Sequence, residues 1–265
     1  GWNKDQNKFD KYWPADYHLM AKDILTAHCV YWPTILMSCD ILLPKTIFAH
    51  GWWLIDDTKM SKSLGNVIKP LDLADKYGSD ALRYYLMRNM VLGQDASFTL
   101  DSFEKRYNAD LANDYGNLVN RIFILITKHF NDSIPEKGEY DAVDKQLIDN
   151  VKKLQKLAIS NYNELKIHDG IENTISIFRL VNKFLEVKAP WKMVKEDKNI
   201  AAKTIYLSTE MLRIGTILLY PIIPKRTKQV LDAIKCSPSD DTSFGRLKEN
   251  TKIDIVKNIF PRIQD

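Results

Sequence analysis

Lys59-Met60-Ser61-Lys62-Ser63, continuing into Leu64-Gly65-Asn66, has the composition of a loop that handles phosphate groups. Lys59 and Lys62 put two compact ammonium charges on long stems three positions apart. Such groups follow charge as it moves from a bound nucleotide into a leaving group. Ser61 and Ser63 add hydroxyl donors to the loop N–H groups, and Gly65 removes the steric bar to an unusual turn. A solvated Lys/Ser turn is the competing reading of any such pentapeptide, so the flanking segments bear on the choice. Just upstream, Thr46-Ile47-Phe48-Ala49-His50 and Trp52-Trp53-Leu54-Ile55 are β-branched and aromatic runs broken by Gly51. They predict strands leading to a turn at Asp56-Asp57-Thr58. Before them, apolar spacing from Ile24 to about Met37 is helical, with Pro33 as a kink or a new start and Pro44 as the stop. Pro14 biases Trp13 away from helix, so Tyr12 to His18 reads as a turn into a short extended segment. Strand, helix and strand amount to half of a parallel α/β sheet, with the loop at a strand's carboxyl end, where such sheets bind ligands.

On the carboxyl side, Pro70 opens a short helix ending near Gly78, and Ser79 or Asp80 caps a second one running to about Met90. Gly93 marks a break. Helical patterns then follow over 101–130, 143–162, 170–187, 200–219 and 225–234, the pattern of a helix bundle. The predicted fold is therefore α/β followed by all-α, with residues 1–93 in the first domain and 94–265 in the second.

The length of 265 residues suffices for two domains with real cores, and 45% hydrophobic with 27% charged residues is a globular balance without a disorder signature. No stretch has the form of a signal peptide, and the apolar runs near Ile122 and from Ile214 to Ile223 are too short or too interrupted to span a bilayer. A cytoplasmic protein without a membrane partner is expected. The net charge of +4 is mild, so binding of nucleic acid must be argued from particular basic residues. Cys29, Cys39 and Cys236 form no Cys-x-x-Cys pair, and no histidine pair has ligand spacing, so idle thiols in a reducing compartment are expected and a protein-held metal is not.

Taken together, the motifs resemble the methionyl-tRNA synthetases, a family of class I aminoacyl-tRNA synthetases. They are Tyr17 to Ile24, His28, Tyr31-Trp32-Pro33, His50-Gly51, the Lys59–Ser63 loop, Gly78 to Tyr85, Asp110 to Arg121, Ala189-Pro190-Trp191 and Phe260 to Ile263, in that order along the chain. The resemblance implies that residues 1–93 are the second half of a Rossmann-type class I catalytic domain, with a stem-contact region. It implies that 94–265 are an anticodon-binding helix bundle. The implied activity is a ligase: ATP, accompanied by Mg2+, activates methionine as methionyl-adenylate, and the acyl group passes to tRNA(Met).

By the same resemblance, Lys62 and Lys59 are the catalytic lysines, and Lys59, Ser61, Lys62, Ser63, Ala21, Asp23 and His50 bind ATP. Ile24, His28, Tyr31 and Trp32 form the methionine pocket. The spacing of Ile24, His28 and Tyr31 puts them on one face of an α-helix, and aromatic and aliphatic walls suit a polarizable thioether. Asp23 fits equally well as an acceptor for substrate ammonium or ribose hydroxyls and as the carboxylate of a helix start. In the helical domain, Asn117 and Arg121 share a face opposite the apolar stripe Leu111, Tyr115, Leu118, Ile122 and Ile126. With Trp191, they are the implied anticodon readers.

The chain departs from the family in three respects. Ala21 stands where the family usually has glycine, which bears on how closely a nucleoside approaches the backbone. The family's His-x-Gly-His signature is absent, and so is the inserted zinc-bearing domain, in keeping with no zinc held by this chain. These absences predict the carboxyl-terminal part of a longer catalytic chain. The alternatives are a non-catalytic tRNA-binding module and a class I synthetase for another bulky apolar amino acid.

Overall fold

The computed structural model describes residues 1–55, the backbone at 58–59, and residues 69–239 and 241–264. Ser61, Lys62 and Ser63, with the turn at Asp56-Asp57, lie outside the described residues. The chain divides into two compact units, Gly1–Val67 with Met90–Phe98 and Ile68–Asn89 with Thr99–Asp265.

The first unit opens with α1 (Gln6–Tyr12), whose first turn is capped by the Asp5 carboxylate accepting from Lys8 N–H. Strand β1 (His18–Ala21) pairs in parallel with β2 (Ile47–His50), His18 opposite Ile47 and Ala21 opposite His50. The crossover between them is helical, as the apolar spacing predicts, but not uniformly α. A 3-10 turn at Lys22–Ile24 and a π-helical stretch at Ala27–Tyr31 precede α2 (Trp32–Ser38). Pro33 sits in the first turn of α2, where its missing N–H leaves no bond unmade, so it starts a helix rather than kinking one. Strand β3 (Trp53–Ile55) pairs antiparallel with β4 (Thr58–Lys59) and parallel with β5 (Ala96–Phe98). Lys59 thus lies opposite Leu54 on the antiparallel partner of β3.

Gly51 makes this arrangement possible. A Cβ there would stand 2.0 Å from the carbonyl oxygen of Gln94, so only glycine lets the residues before β5 approach the end of β2. Asp95 then accepts from Trp52 N–H at 2.8 Å and pairs with Lys22 at 2.7 Å. Met20 and Leu36 are buried. Leu19, Tyr31, Ile35, Met37 and Leu42 are exposed around the parallel pair, although parallel sheets are ordinarily covered on both faces.

The second unit is helical: α3 (Pro70–Tyr77), α4 (Ser79–Asn89), α5 (Leu100–Arg106), α6 (Asn117–His129), α7 (Ala142–Asn163), α8 (Ile167–Lys188), α9 (Pro190–Glu196), α10 (Lys198–Leu219) and α11 (Pro224–Ala233). A π-helical stretch at Tyr107–Gly116 joins α5 to α6 without a break. The predicted stripe Leu111, Tyr115, Leu118, Ile122 and Ile126 is fully buried. Helix α10 is buried on nearly all sides from Ala201 onward, which explains its run of apolar and small residues. Helices α7 and α8 pack closely because Gly170 offers no side chain where a Cβ would stand 2.4 Å from the Tyr162 ring. Asp141 and Asp144 form a capping box at the start of α7, and Lys188 and Lys203 both pair with them. The Lys188 ammonium and the bonded N–H of Asp144 hold the Asp141 carboxyl well below the usual carboxylate range. The final residues pack back on the π-helical stretch: Tyr107 O–H donates to Pro261 O at 3.0 Å, and Asn108 exchanges bonds with Ile263.

Candidate functional site

Each unit carries one candidate surface. In the first, the parallel pairing sets Ala21 beside His50 at the carboxyl ends of β1 and β2, the end at which open α/β sheets take ligands. Asp23 follows in the exposed 3-10 turn. Lys22 is drawn sideways, paired with Asp95 and 4.3 Å from the centroid of Trp52. The His50 Nδ1 lies 2.7 Å from Gly51 O. A carbonyl only accepts, so Nδ1 carries the proton and Nε2 is left as an acceptor. Lys59 takes its backbone place in β4 opposite Leu54.

His28, Tyr31 and Trp32 are brought together. With His18, Ala27 and Ile35 they line a shallow concavity of apolar character. His18 stacks on Trp32 at 6.4 Å and meets His28 edge-on, while Trp13 meets Trp32 edge-on. Trp32 Nε1 is buried and has no acceptor among the described residues, an orphaned donor at the concavity's wall. Ile24 does not join this group. It lies in the 3-10 turn that precedes the π-helical stretch and is 45% exposed. Its carbonyl accepts from His28 Nδ1 at 2.9 Å, which leaves His28 Nε2 as an acceptor. Sequence reasoning passed over His18, although its position just after Pro14 and at the head of β1 gave the signal.

In the helical unit, three elements converge. Asn117 opens α6 on its exposed side, and Arg121 lies one turn later. Helix α8 ends at Lys188; Ala189 takes a left-handed conformation (φ 42°, ψ 55°), and Pro190 starts α9. That reversal turns Trp191 toward α6, with the Arg121 guanidinium 5.4 Å from its ring centroid. Trp191 is 39% exposed, so its ring is available to a ligand rather than filling the core. Arg121 Nη1 donates to Asn182 Oδ1 at 3.3 Å and lies 3.7 Å from Glu186 Oε1. Behind them, Asn182 Nδ2 donates to Asp114 O at 2.9 Å, and Arg179 Nε donates to Asp114 Oδ2 at 2.7 Å. Burial pushes the Asp114 carboxyl up, against the opposing pull of Arg179. Asn182 and Glu186 were not singled out in the sequence, although they share a face of α8 about two turns and one turn before Pro190. The arrangement is an aromatic platform beside a multidentate cation and an amide, equipment for reading an unstacked base.

Among the described residues no three of His, Cys, Asp or Glu come close enough to hold a metal ion. No helix among them is long and apolar enough to cross a membrane.

Residues 2–123 match the family described as tRNA synthetases class I (M), and 134–265 match the anticodon binding domain of methionyl tRNA ligase. The methionine–tRNA ligase of Clostridium tetani is 36% identical over 269 residues, covering 99% of this chain and 42% of its own length. That of Oceanobacillus iheyensis is 37% identical over 272 residues, 98% of this chain and 40% of its own. A solved structure of Mycobacterium tuberculosis methionyl-tRNA synthetase in complex with methionyl-adenylate superposes with a TM-score of 0.93 at 33% identity, over 99% of this chain and 53% of that one. The chain thus spans about two fifths of these curated relatives and about half of the solved one.

Proposed function

Because this chain belongs to the methionyl-tRNA synthetase family of class I, we propose that it is part of a ligase joining methionine to tRNA(Met) through methionyl-adenylate. The observation that carries this reading is the meeting of Arg121 and Trp191 on the exposed face of the helical unit, beside Asn117. Residues 1–93 serve catalysis and stem contact, and 94–265 read the anticodon.

In the first step, a methionine carboxylate oxygen attacks the α-phosphorus of Mg·ATP, and pyrophosphate leaves with the electron pair of the broken bond. A hydroxyl of the tRNA's terminal adenosine then attacks the adenylate carbonyl, and AMP leaves. Positioning and charge stabilisation dominate such displacements. Lys62, seconded by Lys59, neutralises the departing pyrophosphate, with Ser61 and Ser63 as further donors. Ala21 and His50 border the nucleotide at the strand ends, with Asp23 accepting from ammonium or ribose hydroxyls. His28, Tyr31 and Trp32 form the wall against the methionine thioether, and Ile24 positions that wall through its bond to His28. Exposed Cys29 and Cys39 suit the reducing cytoplasm in which tRNA is charged.

A second reading applies to the 265-residue chain by itself: a tRNA-binding module without activity. The exposed apolar residues around β1 and β2 favour it, because a parallel pair without cover lacks the walls of a closed site. The purified chain is expected to show no methionine-dependent ATP–pyrophosphate exchange, and to gain it when the remaining part of a full-length relative is supplied as a second polypeptide. Exchange by the chain alone would refute that expectation.

Anticodon reading is tested on the same chain. Trp191→Ala is expected to weaken binding of tRNA(Met) by about 1–3 kcal/mol, the scale of one lost base–aromatic stack, with little change in melting temperature. A Trp191 that only packs would do the reverse, lowering the melting temperature and sparing affinity.

A further inference from the structure

Arg121 sits between two acceptors of different character. Glu186 Oε1 is 3.7 Å from Nη1 and its side chain is 68% exposed, free to reach out and form a full ion pair. An arginine held bidentately by a carboxylate spends its fork and its charge on that partner. The other acceptor is Asn182 Oδ1, neutral and 3.3 Å from the same nitrogen.

The amide of Asn182 is locked in one orientation. Its Nδ2 donates to Asp114 O at 2.9 Å, a carbonyl at the carboxyl end of the π-helical stretch. Flipping the amide would set Nδ2 against the Arg121 donors and Oδ1 against a carbonyl, losing both bonds at once. Asp114 is itself fixed by Arg179, which also binds Asp110 and Glu172. A chain of bonded groups therefore runs from a partly exposed ion network, anchored on buried Asp110, to the guanidinium over Trp191. A carboxylate at position 182 would face the Asp114 carbonyl and add negative charge beside that acidic network, so a neutral amide suits the place.

We propose that Asn182 is a positioning residue for anticodon reading: it holds Arg121 over the Trp191 ring by one neutral bond. The remaining guanidinium N–H groups then stay available for bases and phosphates instead of closing on Glu186. This rests on the reading of Arg121 and Trp191 given above.

The test measures binding of tRNA(Met), and of the same tRNA with one anticodon base changed, to the 265-residue chain. The proteins are wild type, Asn182→Ala, Arg121→Ala and the double variant. Asn182→Ala is expected to lower the preference for the methionine anticodon roughly tenfold, the scale of one lost bond to a charged group. In the Arg121→Ala background, it is expected to change the preference by less than about twofold, because groups acting through one another are not additive. A merely structural residue would instead cost the same in both backgrounds and lower the melting temperature. Alanine raises helix propensity at this partly exposed position of α8, and Asn182→Ser replaces it should that variant fail to fold. If Asn182→Ala keeps the wild-type preference, or loses as much with Arg121 absent as present, the inference is overturned while the anticodon reading stands. If the wild type prefers neither tRNA, the anticodon reading falls and takes the inference with it.

Discussion

An Arg213→Ala variant is expected to lose about 3–5 kcal/mol of folding stability, the scale for stripping one partner from a buried ion pair. Arg213 and Glu210 lie within one turn of α10 and are 1% and 0% exposed. Two bonds join them, Nε to Oε2 at 2.7 Å and Nη2 to Oε1 at 2.9 Å. Arg213 also donates to the carbonyls of Asp241 and Ser243, while Glu210 accepts from the N–H groups of Gly245, Arg246 and Leu247. The pair thus pins the segment 241–247 to the central helix through backbone atoms on both sides. Truncating the arginine leaves a carboxylate facing backbone donors with its countercharge gone, and two carbonyls without their donor. Arg213→Lys restores the charge without the planar fork and is expected to fall between wild type and alanine. Urea unfolding followed by circular dichroism reads the effect. A loss below about 1 kcal/mol, the range of exposed pairs, would mean that water replaces the arginine at little cost.

The second large effect concerns Lys62. In a complete synthetase that contains this sequence, Lys62→Ala is expected to slow methionyl-adenylate formation by about 10²-fold or more, in line with removal of one donor aimed at developing charge. Methionine affinity should barely change, because in the proposed mechanism the lysine acts on the triphosphate as it breaks and not on the apolar wall of His28, Tyr31 and Trp32. Single-turnover kinetics separate the two quantities. An unchanged activation rate would return the Lys59–Ser63 loop to the status of a solvated turn, the alternative that its composition also allows.

The sequence by itself determined most of the helical unit. A helix that buries one face must repeat apolar residues at helical spacing, and Leu111, Tyr115, Leu118, Ile122 and Ile126 do so in the sequence and are buried in the fold. Glycine and proline marked the breaks at Gly78, Gly93 and Pro190 because their backbone constraints are local. Sites can be proposed from residue types because lysine, serine, tryptophan and arginine carry their chemistry wherever the chain takes them; among the described residues the structure brings Arg121 and Trp191 together.

Tertiary structure alone decided the rest. The strand Ala96–Phe98 is too short to display an alternation, and it becomes a strand only because β3 offers it an edge. The π-helical stretches at Ala27–Tyr31 and Tyr107–Gly116 differ from α-helix by one residue in the hydrogen-bond step, and side-chain pattern does not encode that step. Yet the second of them carries Asp114, whose carbonyl comes within reach of Asn182. Arg121 and Trp191 are seventy positions apart in the chain. Their contact depends on α8 packing beside α6 and on one left-handed residue, Ala189, turning the chain back. Those are consequences of which buried surfaces fit together, and a linear pattern of residues does not carry them.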